Sequence, residues 1–283
     1  MLRKPSREDA MQYQELLYGL ALDRTRSGYP TYTDGIKTKE QFLQMLQEGF
    51  SSPNRENLLY EENGRAAGWI QFFVIHQDAY LQTEVFNIAA GTETALKEFE
   101  AYCRVNYSGY TLYLGFPADN RDAVSYLENA GWSCAERAHN DIAHLDDKAC
   151  READPMICPV TKENFDDFRQ LHSGVEGDMY WTSERLYQAL DNWKIFLYSR
   201  EGRPAGAVYF TGSGQTAEIF GVDFADGAFR EDICLSLLQK VKQECQKAQM
   251  RHFVFFSGDR EHLCAGKAGF SCVGEYVLYC GKV

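Results

Sequence analysis

The side chains that do chemistry are all present in this 283-residue chain, yet few stand in spacings that fix a reaction. Six histidines, at positions 76, 139, 144, 172, 252 and 262, show no metal-ligand spacing and read as surface or strand residues, so no metal is expected. Nine cysteines cannot all pair within one chain and none forms C-x-x-C; they read as reduced thiols, not as a disulfide framework or zinc ribbon. Gly212-Ser213-Gly214 lacks the G-x-S-x-G spacing of a hydrolase elbow and reads as a turn. More informative are residues that match across the chain. Cys134 matches Cys272, a pair read as small buried residues, since a reactive thiol needs an electropositive setting. Glu84 matches Glu218, standing before V-F-N-I and I-F-G-V respectively, either as working carboxylates or as solvated strand residues.

These matches belong to an internal repeat. Residues 58–73, LLYEENGRAAGWIQFF, align without a gap to 196–211, FLYSREGRPAGAVYFT, with seven identities in sixteen. The same offset of 138 returns where Ala130-Gly131-Trp132-Ser133-Cys134 meets Ala268-Gly269-Phe270-Ser271-Cys272. Upstream the offset grows to 144 and then 155, as loop deletions in the second copy would produce. The chain therefore reads as two homologous domains, 1–148 and 153–283, joined near HLDDKACREADP.

Each copy predicts the same elements. Ser6 with Asp9, and Thr38 with Gln41, are capping signatures that open two helices. Two strands follow about Asn63-Gly64, a strong hairpin signal, then LQTEVFNI as a third strand and a helix through Leu96, Phe99 and Cys103. TLYLGF is a continuously apolar, buried type of strand, followed by a helix over Asn120–Asn129 and a last strand after Gly131-Trp132. The second copy repeats this with AEIFGVDF, a helix through Leu237 and Val241, HFVFF and YVLYC. The fold class is α/β (α+β), each domain a mixed, mostly antiparallel sheet of about six strands flanked by helices.

Charge narrows the partners. The net charge is −12, and residues 1–150 carry 14 basic against 22 acidic side chains, the remainder 15 against 19. Neither half has the basic excess that binding a phosphate backbone requires, so nucleic acid is not an expected partner, while a cationic amine would be attracted. No apolar run reaches the roughly 20 residues of a membrane span, and MLRKPSREDA is charged where a signal peptide turns apolar. A cytoplasmic protein without a membrane partner, monomer or homodimer, is expected.

With these elements in this order, the chain resembles the GNAT superfamily of acyl-CoA N-acyltransferases, once per half. NRDAVSYLENAGW looks like the family's Asn-x-x-Ala helix ending in Gly-aromatic, and AEIFGVDF like the central strand that splays from its neighbour to pair with the cofactor's pantetheine arm. The resemblance implies an N-acetyltransferase that moves an acetyl group from acetyl-CoA to the amine of a small molecule or peptide. The alternative is a pair of degenerate domains that bind a ligand or partner without chemistry. Under the resemblance Glu84 and Glu218 are the carboxylates that take the amine's proton, and Glu218 is preferred. Strand amides near Val222 face the reacting carbonyl. The family's phosphate-cradling loop, Arg/Gln-x-x-Gly-x-Gly/Ala, maps in the second copy onto Phe229, Asp232 and Cys234, with Arg230 one position off. Asn120 of the first copy either touches the cofactor or caps its helix. The usual Tyr acid falls on Leu127 and Ala265. Tyr276 and Tyr279 either line the acceptor site or belong to the core. The cofactor is expected in the second copy, whose VDFADGAFREDICLSLL connection is longer than NIAAGTETALKEF.

Overall fold

The computed structural model describes residues 1–28, 32, 34–145, 154–177 and 179–283. Residues 146–153, which contain the expected domain junction, lie outside the described residues. The first half runs β1 (Leu2–Arg3), α1 (Arg7–Gln12), α2 (Gln14–Ala21), α3 (Lys39–Glu48), β2 (Arg55–Glu62), β3 (Arg65–Ile75), β4 (Tyr80–Ile88), α4 (Thr92–Asn106), β5 (Thr111–Pro117), α5 (Arg121–Asn129) and β6 (Ser133–His144). The second runs β7 (Ile157–Pro159), α6 (Phe165–His172), α7 (Ser183–Gln188), β8 (Lys194–Arg200), β9 (Arg203–Ser213), β10 (Thr216–Phe224), α8 (Glu231–Lys247), β11 (His252–Ser257), α9 (Asp259–Lys267) and β12 (Ser271–Lys282).

The chain forms two compact units that are not the two contiguous halves. Unit 1 is Met1–Arg137 with Gly274–Val283, and unit 2 is Ala138–Val273. The sheet of unit 1 has the order β1-β2-β3-β4-β5-β12, and that of unit 2 the order β6-β11-β10-β9-β8-β7. In unit 1, Tyr276–Lys282 of β12 pair antiparallel with Pro117–Thr111 of β5. In unit 2, His139–His144 of β6 pair with Ser257–His252 of β11. Each sheet is thus completed by the strand expected to close the other. The two strands follow nearly identical lead-ins, Ala-Gly-aromatic-Ser-Cys, and an open strand edge offers the same row of donors and acceptors to either one. Local sequence carries no label for the sheet a strand joins.

Both units are layered alike, with helices burying apolar residues on each face of the sheet. In unit 1, Phe72, Phe86, Leu96, Phe99 and Phe116 form the core under α4 and α5, while Leu17, Phe42, Leu46 and Trp69 form that under α1 to α3. In unit 2 the corresponding cores hold Phe210, Leu237, Leu238 and Phe253 on one face and Phe165, Phe168, Trp193 and Tyr209 on the other. The predicted capping boxes at Ser6 and Thr38 are present. Asn63 and Gly64 take φ of 51° and 73°, the left-handed pair that a tight hairpin turn requires. Among the described residues no helix is long and apolar enough to cross a membrane.

Candidate cofactor cleft

Two parallel strands part company in each unit. β4 and β5 pair only from Tyr80↔Thr111 to Gln82↔Tyr113, then diverge although β4 continues to Ile88. β10 and β11 pair from Thr216↔His252 to Ile219↔Phe255, after which β10 runs on to Phe224 paired with β9 only. A bulge beside each opening breaks the antiparallel register, between Gln71 and Phe72 on β3, and between Ile219 and Gly221 on β10. Diverging parallel strands leave unpaired backbone edges and a crevice beyond their carboxyl ends, where α/β sheets hold ligands.

In unit 1 that crevice is a cavity of about 820 Å³. Its walls are the end of β4 and start of α4 (Ala90, Thr92), the start of α5 (Asp119, Arg121, Asp122) and the 22–26 segment that follows α2. The sequence folds this wall tightly. Ile88 N–H donates to Arg26 C=O at 3.0 Å, and the amide of Asn120 donates to Ser27 C=O at 3.1 Å, so the segment carrying Arg24 and Arg26 is tied to the end of β4 and the cap of α5. Gly91 precedes α4 at φ 70°, and a Cβ there would stand 2.9 Å from Tyr60 Oη and 3.1 Å from Glu62 Oε1; only glycine lets the chain turn into this helix. Three arginines, three aspartates (Asp23, Asp119 and Asp122) and the first turns of two helices thus face one space, where helix N-termini and Arg121 are the donors open to an anion. Arg24 lies 2.9 Å from Asp119 and Arg26 3.5 Å from Asp23, while Arg121 has no ion pair among the described residues.

The matching place in unit 2 is built otherwise. Phe229 packs its ring 5.2 Å from that of Phe224, Cys234 and Val222 are buried in the core beneath α8, and Arg230 makes no side-chain cap. Asp232 is exposed, 3.8 Å from Arg200, and with Glu231 puts two carboxylates in the first turn of α8. Acidic groups there complement the helix dipole and oppose an incoming anion. The expectation that the longer connection would form the phosphate loop meets an aromatic contact and like charge instead.

Asn120 is 1 % exposed, and its carbonyl accepts from Ala123 N–H while its amide holds Ser27. It positions the arginine-bearing segment and is a capping residue, not part of the cavity lining. Tyr276 and Tyr279 are core residues; burial and the hydrogen bond to Glu128 push the Tyr279 hydroxyl up to about 12.

The two glutamates do not occupy one structural place. Glu84 is the bulged residue of β4, between Thr83, which faces Phe72, and Val85, which faces Gln71. The bulge of unit 2 falls on Phe220, so Glu218 corresponds in register to Gln82, within the part of β10 still paired to β11. Counting residues misses a two-residue shift that a bulge conceals. Glu84 borders the opening, with its carboxylate gripped by Arg55 (Nε 2.7 Å, Nη2 3.0 Å) and by Gln71 Nε2 at 3.1 Å. Beside it Asn57 and Gln71 are buried, with Asn57 Nδ2 and Gln71 Oε1 lacking hydrogen-bond partners. The positions where the resemblance places an acid, Leu127 and Ala265, are both fully buried in the cores.

The same register pairs Asn87 of unit 1, opposite Trp69, with Asp223 of unit 2, opposite Ala207. Asn87 accepts from Gly28 N–H at 3.3 Å, whereas Asp223 meets Nδ1 of the fully buried His172 at 2.8 Å, and His172 Nε2 donates to Trp181 C=O at 2.9 Å. Burial, the strongest influence on His172, lowers its pKa, but the bond and charge of Asp223 with the Trp181 carbonyl outweigh it and the net shift is upward. Burial also raises Asp223, against the pull of His172.

Comparison with solved structures fits this arrangement. Over its whole length the chain matches 95% of a GCN5-related N-acetyltransferase from Sphaerobacter thermophilus, at 16% identity and a TM-score of 0.66. It matches 98% of a tandem GNAT protein from the clavulanic acid biosynthesis pathway, in a form without AcCoA, at 10% identity and a TM-score of 0.55. This is the tandem GNAT fold. A further full-length match is an acetyltransferase from the GNAT family of Colwellia psychrerythraea, at 14% identity and a TM-score of 0.51. No family model matches the sequence, and no curated protein does. The likeness is therefore one of overall backbone fold, at 10 to 16% identity.

Proposed function

We propose that this GNAT-fold protein is an acetyl-CoA-dependent N-acetyltransferase whose cofactor is held by unit 1. The observation that carries this reading is the arginine-lined cavity at the mouth of the β4–β5 splay. Arg24, Arg26 and Arg121 would take the phosphates, with the amides at the start of α4 behind Gly91 as further donors. The unpaired edge of β4 beyond Gln82 would hold the amide-rich arm. Bound acetyl-CoA supplies an activated thioester. This chain's own contribution is to hold it at one end, admit an amine beside β4 and accept that amine's proton. Glu84 is the carboxylate placed to do so, Arg55 and Gln71 fixing its orientation. The net charge of −12 favours a cationic amine acceptor.

A second reading, binding without turnover, is favoured by one specific observation: Leu127 and Ala265 leave no proton donor where the resemblance expects it. Calorimetric titration with acetyl-CoA, followed by thiol release with a panel of amines, separates the two. Glu84→Gln is expected to lower kcat by about 10² to 10⁴-fold with cofactor affinity kept, and Glu218→Gln to leave kcat unchanged. Cofactor binding with no thiol release for any amine establishes the second reading.

A further inference from the structure

Unit 2 gathers three metal-ligating side chains that the sequence keeps far apart. His139 on β6, His262 on α9 and Cys272 at the start of β12 each bring one ligand atom within 4.8 Å of the others. Each imidazole is gripped by a carboxylate through one nitrogen only. His139 Nε2 lies 2.9 Å from Asp259 Oδ1, and His262 Nδ1 lies 2.9 and 3.0 Å from the two oxygens of Asp141. The other ring nitrogens, Nδ1 of His139 and Nε2 of His262, are not engaged by these carboxylates. Asp141 is 1 % exposed and is itself fixed by the hydroxyl of Ser257, so the His262 ring is oriented from a rigid, buried base.

A histidine that donates one N–H to a carboxylate and turns its other nitrogen outward is the arrangement by which proteins orient metal ligands, and here it occurs twice around one thiol. Two imidazoles and one thiolate suit a borderline-soft divalent ion, and three protein ligands leave one tetrahedral position for water or a small ligand. We propose that His139, His262 and Cys272 form a binding site for a thiophilic divalent cation, Zn²⁺ by its chemistry, with Asp141 and Asp259 orienting the histidines. The two rings lie stacked, centroids 4.1 Å apart and 20° between planes, so holding one ion with both requires the rings to turn from this arrangement. The site shares no residue with the cavity of unit 1 and does not depend on the acetyltransferase reading.

The test uses the full chain, stripped with a chelator and titrated with Co²⁺, then with Zn²⁺ against a chromophoric competitor. One Co²⁺ per chain with a thiolate-to-metal charge-transfer band is expected. Cys272 and its match Cys134 are exposed, not buried as their sequence setting suggested, and Cys272→Ser should abolish that band and weaken Zn²⁺ binding roughly tenfold or more. Asp141→Asn should weaken it by about 10 to 100-fold, with circular dichroism reporting whether the fold is kept. Absence of saturable binding, or binding equally tight in both Cys272→Ser and His139→Gln, would overturn the assignment. Those two variants decide the matter even if Asp141→Asn fails to fold.

Discussion

The ends of β4 and β10 are the same place built twice, and they differ in what they offer an anion. In unit 1 the strand leads through Gly91 into a helix whose first turn holds one acid, facing Arg24, Arg26 and Arg121. In unit 2 it leads through the Phe224–Phe229 contact into a helix that starts with Glu231 and Asp232. The backbone scaffold is shared; the residues at its mouth are not, three arginines and three aspartates in unit 1 against an aromatic contact and two exposed carboxylates in unit 2. A duplicated fold can therefore keep its splayed strands in both copies while the side chains at their ends diverge.

The buried pair at the matching positions Asn87 and Asp223 sharpens this contrast most. Asp223→Ala leaves the buried His172 without its partner and should destabilise the protein by about 3 to 5 kcal/mol, whereas Asn87→Ala removes a neutral hydrogen bond and should cost about 1 to 3 kcal/mol. Denaturant unfolding measures both. Because folding raises the His172 pKa, the stability it contributes is complete below the ordinary histidine value of about 6.5 and is lost as pH rises through the raised folded-state value. The upward shift of Asp223 acts with the same sign. Stability should decline with rising pH, and Asp223→Asn, whose amide can donate to Nδ1 while Nε2–H still serves Trp181, should flatten that decline. A profile unchanged in Asp223→Asn would show that other groups set it.

Next in size are the arginines. Arg121→Ala and Arg24→Ala should each weaken acetyl-CoA binding by about 10 to 100-fold by calorimetry, the range of one charge-assisted hydrogen bond, while Arg230→Ala in unit 2 should not change it. Equal losses in both units would mean that the clefts are equivalent. The smallest effect is expected at Asp232. Its replacement by glycine, which would tighten binding if α8 held the phosphates, should leave affinity unchanged.

Much of the fold was legible in the sequence. The repeat at an offset of 138, the capping boxes at Ser6 and Thr38 and the Asn63-Gly64 turn are local signals, and the structure contains each. Less was legible wherever the outcome depends on partners distant in sequence. β6 and β12 carry the same lead-in and exchange sheets, which no local pattern announces. Glu84 and Glu218 match by counting but are separated by the position of a bulge. Arg24 and Arg26 of the cavity come from a segment that contains no motif and is placed by Asn120 and Ile88, residues remote from it, while Arg121 stands inside the Asn-x-x-Ala motif. His139, His262 and Cys272 likewise converge only through the pairing of β6 with β11 and the packing of α9.

Hydrogen exchange of the full chain with and without acetyl-CoA tests most directly whether one unit holds the cofactor. Protection is expected at the amides of residues 22–28, 84–94 and 119–123, around the unit 1 cavity, with residues 220–234 unchanged. Protection confined to residues 220–234, or shared equally between the two regions, would contradict the assignment of the cofactor to unit 1.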